Sequence, residues 1–449
     1  MRKMMVILGL GFVCSILVLA ATTPADLEKN WPQWRGPLMT GVAPAGDPAV
    51  VWSETKNVRW KIALPGKGHS TPIVWGDRIF VSTAVPVGKA DAPAAGASAA
   101  PQPSARMGMP STKTTDLHKF VVLCINRQDG KVVWERTVRE EVPQEATHEF
   151  GSWASSSSVT DGERLYAYFG SRGLFCLDMN GKIIWERDFG QLSKRMEFGE
   201  GDSPALAGDK IVVTWDHEKS SFIVAVDKKT GRDVWKVDRA EGTSWATPVV
   251  VEVNGKSQVI TSATKLIRSY DLETGALIWQ CGGMTANAIP TPFAADGILY
   301  VMSGFRGNAL LAIRLAEAKG DISDSGAIVW RRDKDTPYAP SGLLLGSFLY
   351  FLRGNNGILT CLDAKTGKEY YSGERLEDMG NIFASLSAAK DRIIITGQQG
   401  TFTVIQHGPA FKILAKNKLD DNFHASPVIV GRQLFLRGFK YLYCIEEKA

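Results

Sequence analysis

The sequence predicts an all-β chain folded as an eight-bladed β-propeller of four-stranded antiparallel blades, and three observations carry that expectation. One phrase recurs: "CINRQDGKVVW" at 124, "CLDMNGKIIW" at 176, "AVDKKTGRDVW" at 225, "SYDLETGALIW" at 269 and "CLDAKTGKEYY" at 361. The residues that open its turn, Asn126, Asp178, Asp227, Asp271, a degenerate Arg314 and Asp363, lie 52, 49, 44, 43 and 49 residues apart. That is the length of one propeller blade. Between the phrases stand short β-rich runs such as "DRIFVST" (77–83) and "SFIVAVD" (221–227), with no helical period of useful length.

In chain order, Arg2 and Lys3 precede an apolar run, "MMVILGLGFVCSILVLAA", that closes on Ala20 and Ala21. This charged, apolar, small-residue layout is read as a signal peptide over 1–21, so the chain is expected to be exported, periplasmic or extracellular. The competing reading is an uncleaved anchor, a little short of the about 20 residues that a span needs. Membrane association is therefore expected to be peripheral at most, or through that segment. Cys14 is not expected to carry lipid, because "GFVC" lacks the Leu and small residues that precede a lipidated cysteine. The formal charge of +5 includes Arg2 and Lys3, which leaves no electrostatic case for nucleic acid.

Residues 22–56 form an N-terminal extension and 57–449 the propeller. Within "DKKTG" the Asp carboxylate can accept from amides two and three residues on, and Gly231 can take the positive φ that closes the hairpin. Four residues after each turn glycine stand Trp134, Trp185, Trp235, Trp279 and Trp330, with Tyr371 in the sixth copy. A large flat ring recurring at one depth is expected to dock each blade on the next, because a blade touches only its neighbours. The seventh copy, "VIQHGPAFKIL" (404–414), puts Lys412 where that ring is due. The eighth, "ASPVIVGRQLFLRGFKYLYCIEE", ends without a Trp strand, and "NVRWKIAL" (57–64) has Trp60 with no turn before it. Trp60's strand is therefore expected to close the ring beside 441–446 and remove a sheet edge.

Eight inner strands are signalled near Ser70, Ser156, Asp202, Ala246, Pro290, Pro340, Ala384 and Ala425. Cys124, Cys176, Cys361 and Cys444 share one position of the repeat with Ala225 and Ser269, a small buried slot. Such slots on different blades lie too far apart for disulfides, so free buried thiols are expected.

The phrase "A/C-x-D-x-x-T-G-x-x-x-W" resembles the tryptophan-docking repeat of pyrroloquinoline-quinone (PQQ) type propellers. These include quinoprotein alcohol dehydrogenases and the propeller lipoprotein of outer-membrane protein assembly. "NWPQWRGP" (30–37) is similar to the start of a secreted group with this propeller. The resemblance implies the fold for 57–449 and leaves function open, since the same blade serves cofactor enzymes and cofactor-free scaffolds.

Blade geometry sorts residues between two ends. The Asp-Thr-Gly turns lie at one end. The between-blade connections lie at the other, with His69, His148, Trp153, Asp202, His217, Trp245 and His424, the candidate ligand or partner site. The same end carries 86–117, Ala, Pro and Ser rich and expected to be a disordered tether. No H-x-H pair, phosphate loop, nucleophile elbow or HExxH is present, so no metal and no catalytic residue is assigned. The favoured function is a non-catalytic propeller, expected to be a monomer, that binds a protein, peptide or envelope glycan in the envelope or in outer-membrane protein assembly. One alternative is a quinoprotein oxidoreductase with PQQ and calcium. The resemblance implies for it a vicinal cysteine pair and Glu, Asn and Asp calcium ligands, and no adjacent cysteines occur here. The other is a hydrolase or lyase using Asp202, Glu149 or the histidines. Without the quinone alternative no cofactor is expected.

Overall fold

A computed structural model describes residues 24–89 and 111–447, and among these it is strand and turn apart from one short helix, Pro24–Glu28, and three single 3-10 turns. The signal-peptide segment lies outside the described residues.

Eight sheets follow one another along the chain, spanning 73–141, 159–187, 205–239, 249–281, 293–332, 343–375, 387–418 and 428–445. Each has four antiparallel strands running outward from the axis; the fourth blade gains a fifth, where Gly320–Asp321 pairs parallel with Trp279 and Gln280. The outer strand of the eighth blade comes from the other end of the chain. Val58–Ala63 pairs antiparallel with Tyr441–Ile445, Trp60 opposite Cys444, so both backbone edges are hydrogen-bonded to each other.

The recurring phrase explains the joints. Asp227 Oδ1 accepts from the amides of Lys229 (3.1 Å) and Thr230 (2.8 Å) and from Thr230 Oγ1 (2.8 Å), and the Thr230 hydroxyl bond leads in holding its carboxyl below the usual range. Gly231 turns the chain at φ +70°, and the Trp185 indole of the preceding blade lies where a Cβ would be, 2.7 Å away. The glycine is thus needed twice, for the turn and for the plate laid on it. Trp185 Nε1 donates to Lys228 O of that turn at 3.1 Å. Trp60, Trp134, Trp235 and Trp330 repeat the arrangement on Arg127 O, Met179 O, Leu272 O and Ala364 O at 2.8–3.0 Å. Each slot residue faces a ring across the ladder: Cys124 opposite Trp134, Cys176 opposite Trp185, Ala225 opposite Trp235, Cys361 opposite Tyr371. The five described cysteines are free and buried, and burial pushes Cys124 and Cys444 up to about 12.

Two joints differ. Trp279 is fully buried but its indole N–H has no partner, because the next blade replaces the Asp turn by the longer excursion 315–327. In the seventh blade the residue opposite the slot is Ala415, across from Val404, and not Lys412. That turn is one residue longer than those opened by Asn126, Asp227, Asp271 and Asp363, with the Gln406 amide closing onto Lys412 O, so counting from the glycine misplaces the ring. Trp52 of the N-terminal extension supplies a ring at this joint. It is buried in the cluster shared by blades seven and eight, edge-on to Phe402 at 5.6 Å, and Asn417 bonds the Trp52 amide and Val50 O.

The extension also crosses the axis at the turn end. Trp31 pairs with Val74 of blade one, and Pro32 O accepts the Thr160 amide of blade two. Arg35, 1% exposed, then donates to Leu386 O (2.7 Å), Gly342 O (2.7 Å) and Thr40 O (2.8 Å) beneath blades six and seven. The disorder expected over 86–117 does not hold at its ends. The strand Arg78–Lys89 runs on through Pro86, with Lys89 opposite Asp116, and Ser111–Thr112 pairs with Thr147–His148. The ladder there uses backbone groups that composition does not reveal, and a bulge between Pro86 and Gly88 absorbs the missing proline donor. Residues 90–110 lie outside the described residues.

Candidate functional site

Each inner strand starts from the end of the propeller that carries the between-blade connections, and two residues before its first residue stands a Ser or Thr. Together these eight residues close a ring. The Thr71 amide donates to Ser157 Oγ (2.9 Å), Ser157 to Ser203 (2.9 Å), Ser203 to Thr247 (3.0 Å) and Thr247 to Thr291 (3.2 Å). Thr291 donates to Ser341 (3.0 Å), Ser341 to Ser385 (2.9 Å), Ser385 to Ser426 (3.0 Å), and Ser426 back to Thr71 Oγ1 (3.3 Å). One bond per blade satisfies an amide that the short inner strand would otherwise bury unpaired.

Above the ring opens a cavity of ≈ 660 Å3, with Trp34 of the crossing segment in its lining. One wall is aromatic. The rings of His69 and His424 meet edge to face at 4.6 Å, Phe383 lies 4.5 Å from His424, and Phe150 and His148 continue the wall. Opposite stand Trp245, whose Nε1 donates to Gly199 O at 2.8 Å, and Phe305 stacked on Tyr338 at 4.9 Å. Arg195 is held on Asn287 Oδ1 at 3.2 Å, and an exposed Arg306 reaches the rim.

Electrostatically the aromatic wall is neutral. His424 Nδ1 bonds Phe150 O at 2.9 Å while its Nε2 is buried without a partner, and burial takes the imidazole down to about 4. His69 lies well below its ordinary value for the same reason, with the neighbouring His424 adding to it. Burial also lowers His148. Glu200, the acidic side chain among the described lining residues, is turned into the wall, where it accepts from Ser171 and Gln144 and pairs with Arg172 at 3.2 Å.

Of the seven residues singled out from sequence, His69, His148, Trp245 and His424 line this cavity and three do not. Trp153 packs edge-on against His118 at 4.9 Å and donates to Glu145 O. His217 uses both ring nitrogens, on the Ser193 amide and Ser220 O, to pin a connection. Asp202 sits behind the ring beside Ser203, 4.0 Å from Lys194 Nζ, with burial raising its carboxyl to about 6. Sequence reasoning missed Trp34, the hydroxyl ring and Phe305 with Tyr338. The ring had a signal, a Ser or Thr two residues before every inner strand, as in "STP", "DSP", "ATP" and "ASP".

A family profile described as "Outer membrane protein assembly factor BamB" matches residues 118–371 and again 219–448. The chain belongs to this BamB-like propeller family. Among solved structures of the family's fold, BamB from Moraxella catarrhalis superposes with a TM-score of 0.53 at 14% identity, over 76% of this chain and 94% of that one. A quinohemoprotein alcohol dehydrogenase from Comamonas testosteroni gives 0.62 at 10% identity, over 96% and 82%. At such identities the likeness is one of fold. A curated relative, tetrathionate hydrolase from Acidithiobacillus ferrooxidans, is 27% identical over 202 residues, 40% of this chain and 37% of that protein. The BamB-like chain thus spans little more than a third of that relative.

The resemblance implies calcium and quinone held by Glu, Asn and Asp beside a vicinal cysteine pair, and the cavity lining contains Glu200, Asn287, Asn355 and Asn381. No three His, Cys, Asp or Glu side chains gather as metal ligands among the described residues, and the cavity carboxylate is already engaged. No described cysteine lies in the lining.

Proposed function

We propose that this BamB-like chain is an exported, non-catalytic, monomeric propeller. It binds a protein, peptide or envelope glycan in the cavity and on its rim, in the envelope or in outer-membrane protein assembly, without a cofactor. The observation that carries the reading is the ≈ 660 Å3 aromatic-walled cavity, built from residues of separate blades that no turn or joint requires there. Aromatic surface supplies contact area and the few polar groups beside it fix orientation, which is what a recognition site needs. The opposite end, by contrast, is taken up by Asp turns, docking indoles and the crossing extension. Export rests on the Arg2, Lys3 and apolar layout, and the assembly context on the family description. A photo-crosslinking residue in place of Trp245 should trap a partner in cells of the source organism, and the same residue in place of Lys229 should not. The reverse pattern would move the site to the other face.

A second reading, a hydrolase acting on a sulfur oxyanion, is favoured by the 27% match to tetrathionate hydrolase. Turnover of tetrathionate by the purified chain would promote it.

A further inference from the structure

A hydroxyl oxygen that accepts an amide still has a proton to place. At other sites that proton can find a carbonyl: Ser221 accepts the His217 amide and donates to Glu241 O at 3.1 Å, and Thr336 accepts the Ala309 amide and donates to Ser303 O at 2.7 Å. In the ring, none of the eight hydroxyls donates to an acceptor among the described residues, although each accepts an amide. Thr71, Ser157, Ser203, Thr247, Ser385 and Ser426 line the cavity and are at most 3% exposed, so the space available to their protons is the axis. Trp34, also in the lining, has its indole N–H buried without an acceptor.

Charge points the same way. Arg35 is buried directly below, bonding the carbonyls that follow ring residues Ser341 and Ser385, and it forms no ion pair among the described residues. Burial without a carboxylate drives its guanidinium down to about 9. The nearby acids do not answer it: Glu200 faces Arg172 and Asp202 faces Lys194. A circle of donors with a buried, unpaired guanidinium under it complements oxygen-rich negative charge. A neutral polyol suits it less, because amides already occupy the hydroxyl oxygens.

We propose that the hydroxyl ring and Trp34 form an oxyanion site on the propeller axis. It takes a carboxylate, sulfonate, sulfate or phosphate, free or as the end group of a larger ligand whose apolar part lies against Phe150, Phe383 and Trp245. This rests on the cavity being the binding site, and it names the chemistry that anchors the ligand there.

Two probes test it on the full chain. Crystals soaked in selenate should show an anomalous peak on the axis, with selenate oxygens about 2.8 Å from hydroxyl oxygens of three or more blades. Naphthalene-1-sulfonate should bind about tenfold more tightly than its neutral sulfonamide, the margin of a charge-assisted hydrogen bond, while free sulfate competes with it. Thr247→Val should narrow that ratio, with circular dichroism reporting whether the variant is folded. Competition by free sulfate separates a free-anion site from an end-group site, where only the aryl compound binds; both support the proposal. Selenate confined to surface arginines and lysines, or equal binding of the sulfonate and the sulfonamide, overturns it. If that happens while the crosslink at Trp245 persists, the anion site alone fails; loss of both removes the binding role as well.

Discussion

The neutrality of His424 can be measured through stability. Its ring packs on Phe383 and Phe439, 4.5 and 4.8 Å between centroids, and burial holds it at about 4 against an ordinary 6.5. As pH falls, the unfolded chain takes up the proton first, at the ordinary value, and the folded chain only near 4. Stability is therefore full above about 6.5 and is lost on acidification, by about 2 kcal/mol at pH 5 and about 3 kcal/mol at pH 4 from this residue alone. His424→Phe has no proton to bind and keeps a ring among rings, at a pH-independent cost of about 1 kcal/mol for the lost bond to Phe150 O. Urea unfolding of both proteins at pH 7.5 and pH 5 isolates the linkage. Wild type should lose about 2 kcal/mol more than the variant between the two conditions. His69 is lowered too and will go on destabilising the variant in acid, so the difference between proteins is the readout. Equal losses would mean that His424 protonates in the folded state at its ordinary pH, and the dry aromatic wall would be wrong.

Other consequences follow from the joints and the site. Deleting residues 22–64 removes the strand facing Tyr441–Ile445 together with Trp31, Trp52 and Arg35, and should leave an open edge that aggregates; unchanged melting and solubility would contradict ring closure. Gly231→Ala must hold φ +70° and displace the Trp185 ring, for about 3 kcal/mol by chemical denaturation, whereas the same change at Gly208, also at positive φ but with open space around it, should cost about 1 kcal/mol. Calorimetric titration with PQQ and calcium should give no stoichiometric heat, and dye-linked alcohol oxidation after reconstitution would restore the quinoprotein reading.

Much of the fold was legible because each repeat states its own turn and plate. The Asp, the Gly and the ring four residues later lie within one short phrase, so local chemistry could be read locally. What the ring touches could not, since the Trp185 indole rests on Gly231 of the next copy. Counting failed where a turn changed length, which is why Lys412 stood in for Ala415. The extension over 22–56 has no period, so neither its passage across the axis nor the burial of Trp52 was foreseen. At the site, face assignment gathered seven residues from strand directions alone, but direction does not say whether a side chain is already used. His217 and Trp153 spend their polar atoms inside the wall, and only coordinates reveal that. The hydroxyl ring was written just before every inner strand and went unread because a lone Ser or Thr carries no signal until its counterparts are placed around one axis.

The account stands on the cavity end being the working end. Once the crosslink at Trp245 identifies a ligand, its affinity should be measured by titration for wild type, for Trp245→Ala with Arg306→Ala, and for Lys228→Ala with Lys229→Ala. The cavity pair should weaken binding by tenfold or more, about 1.4 kcal/mol, with thermal melting little changed, and the far-turn pair should leave affinity at the wild-type value. Loss of binding in the far-turn pair with retention in the cavity pair would contradict it.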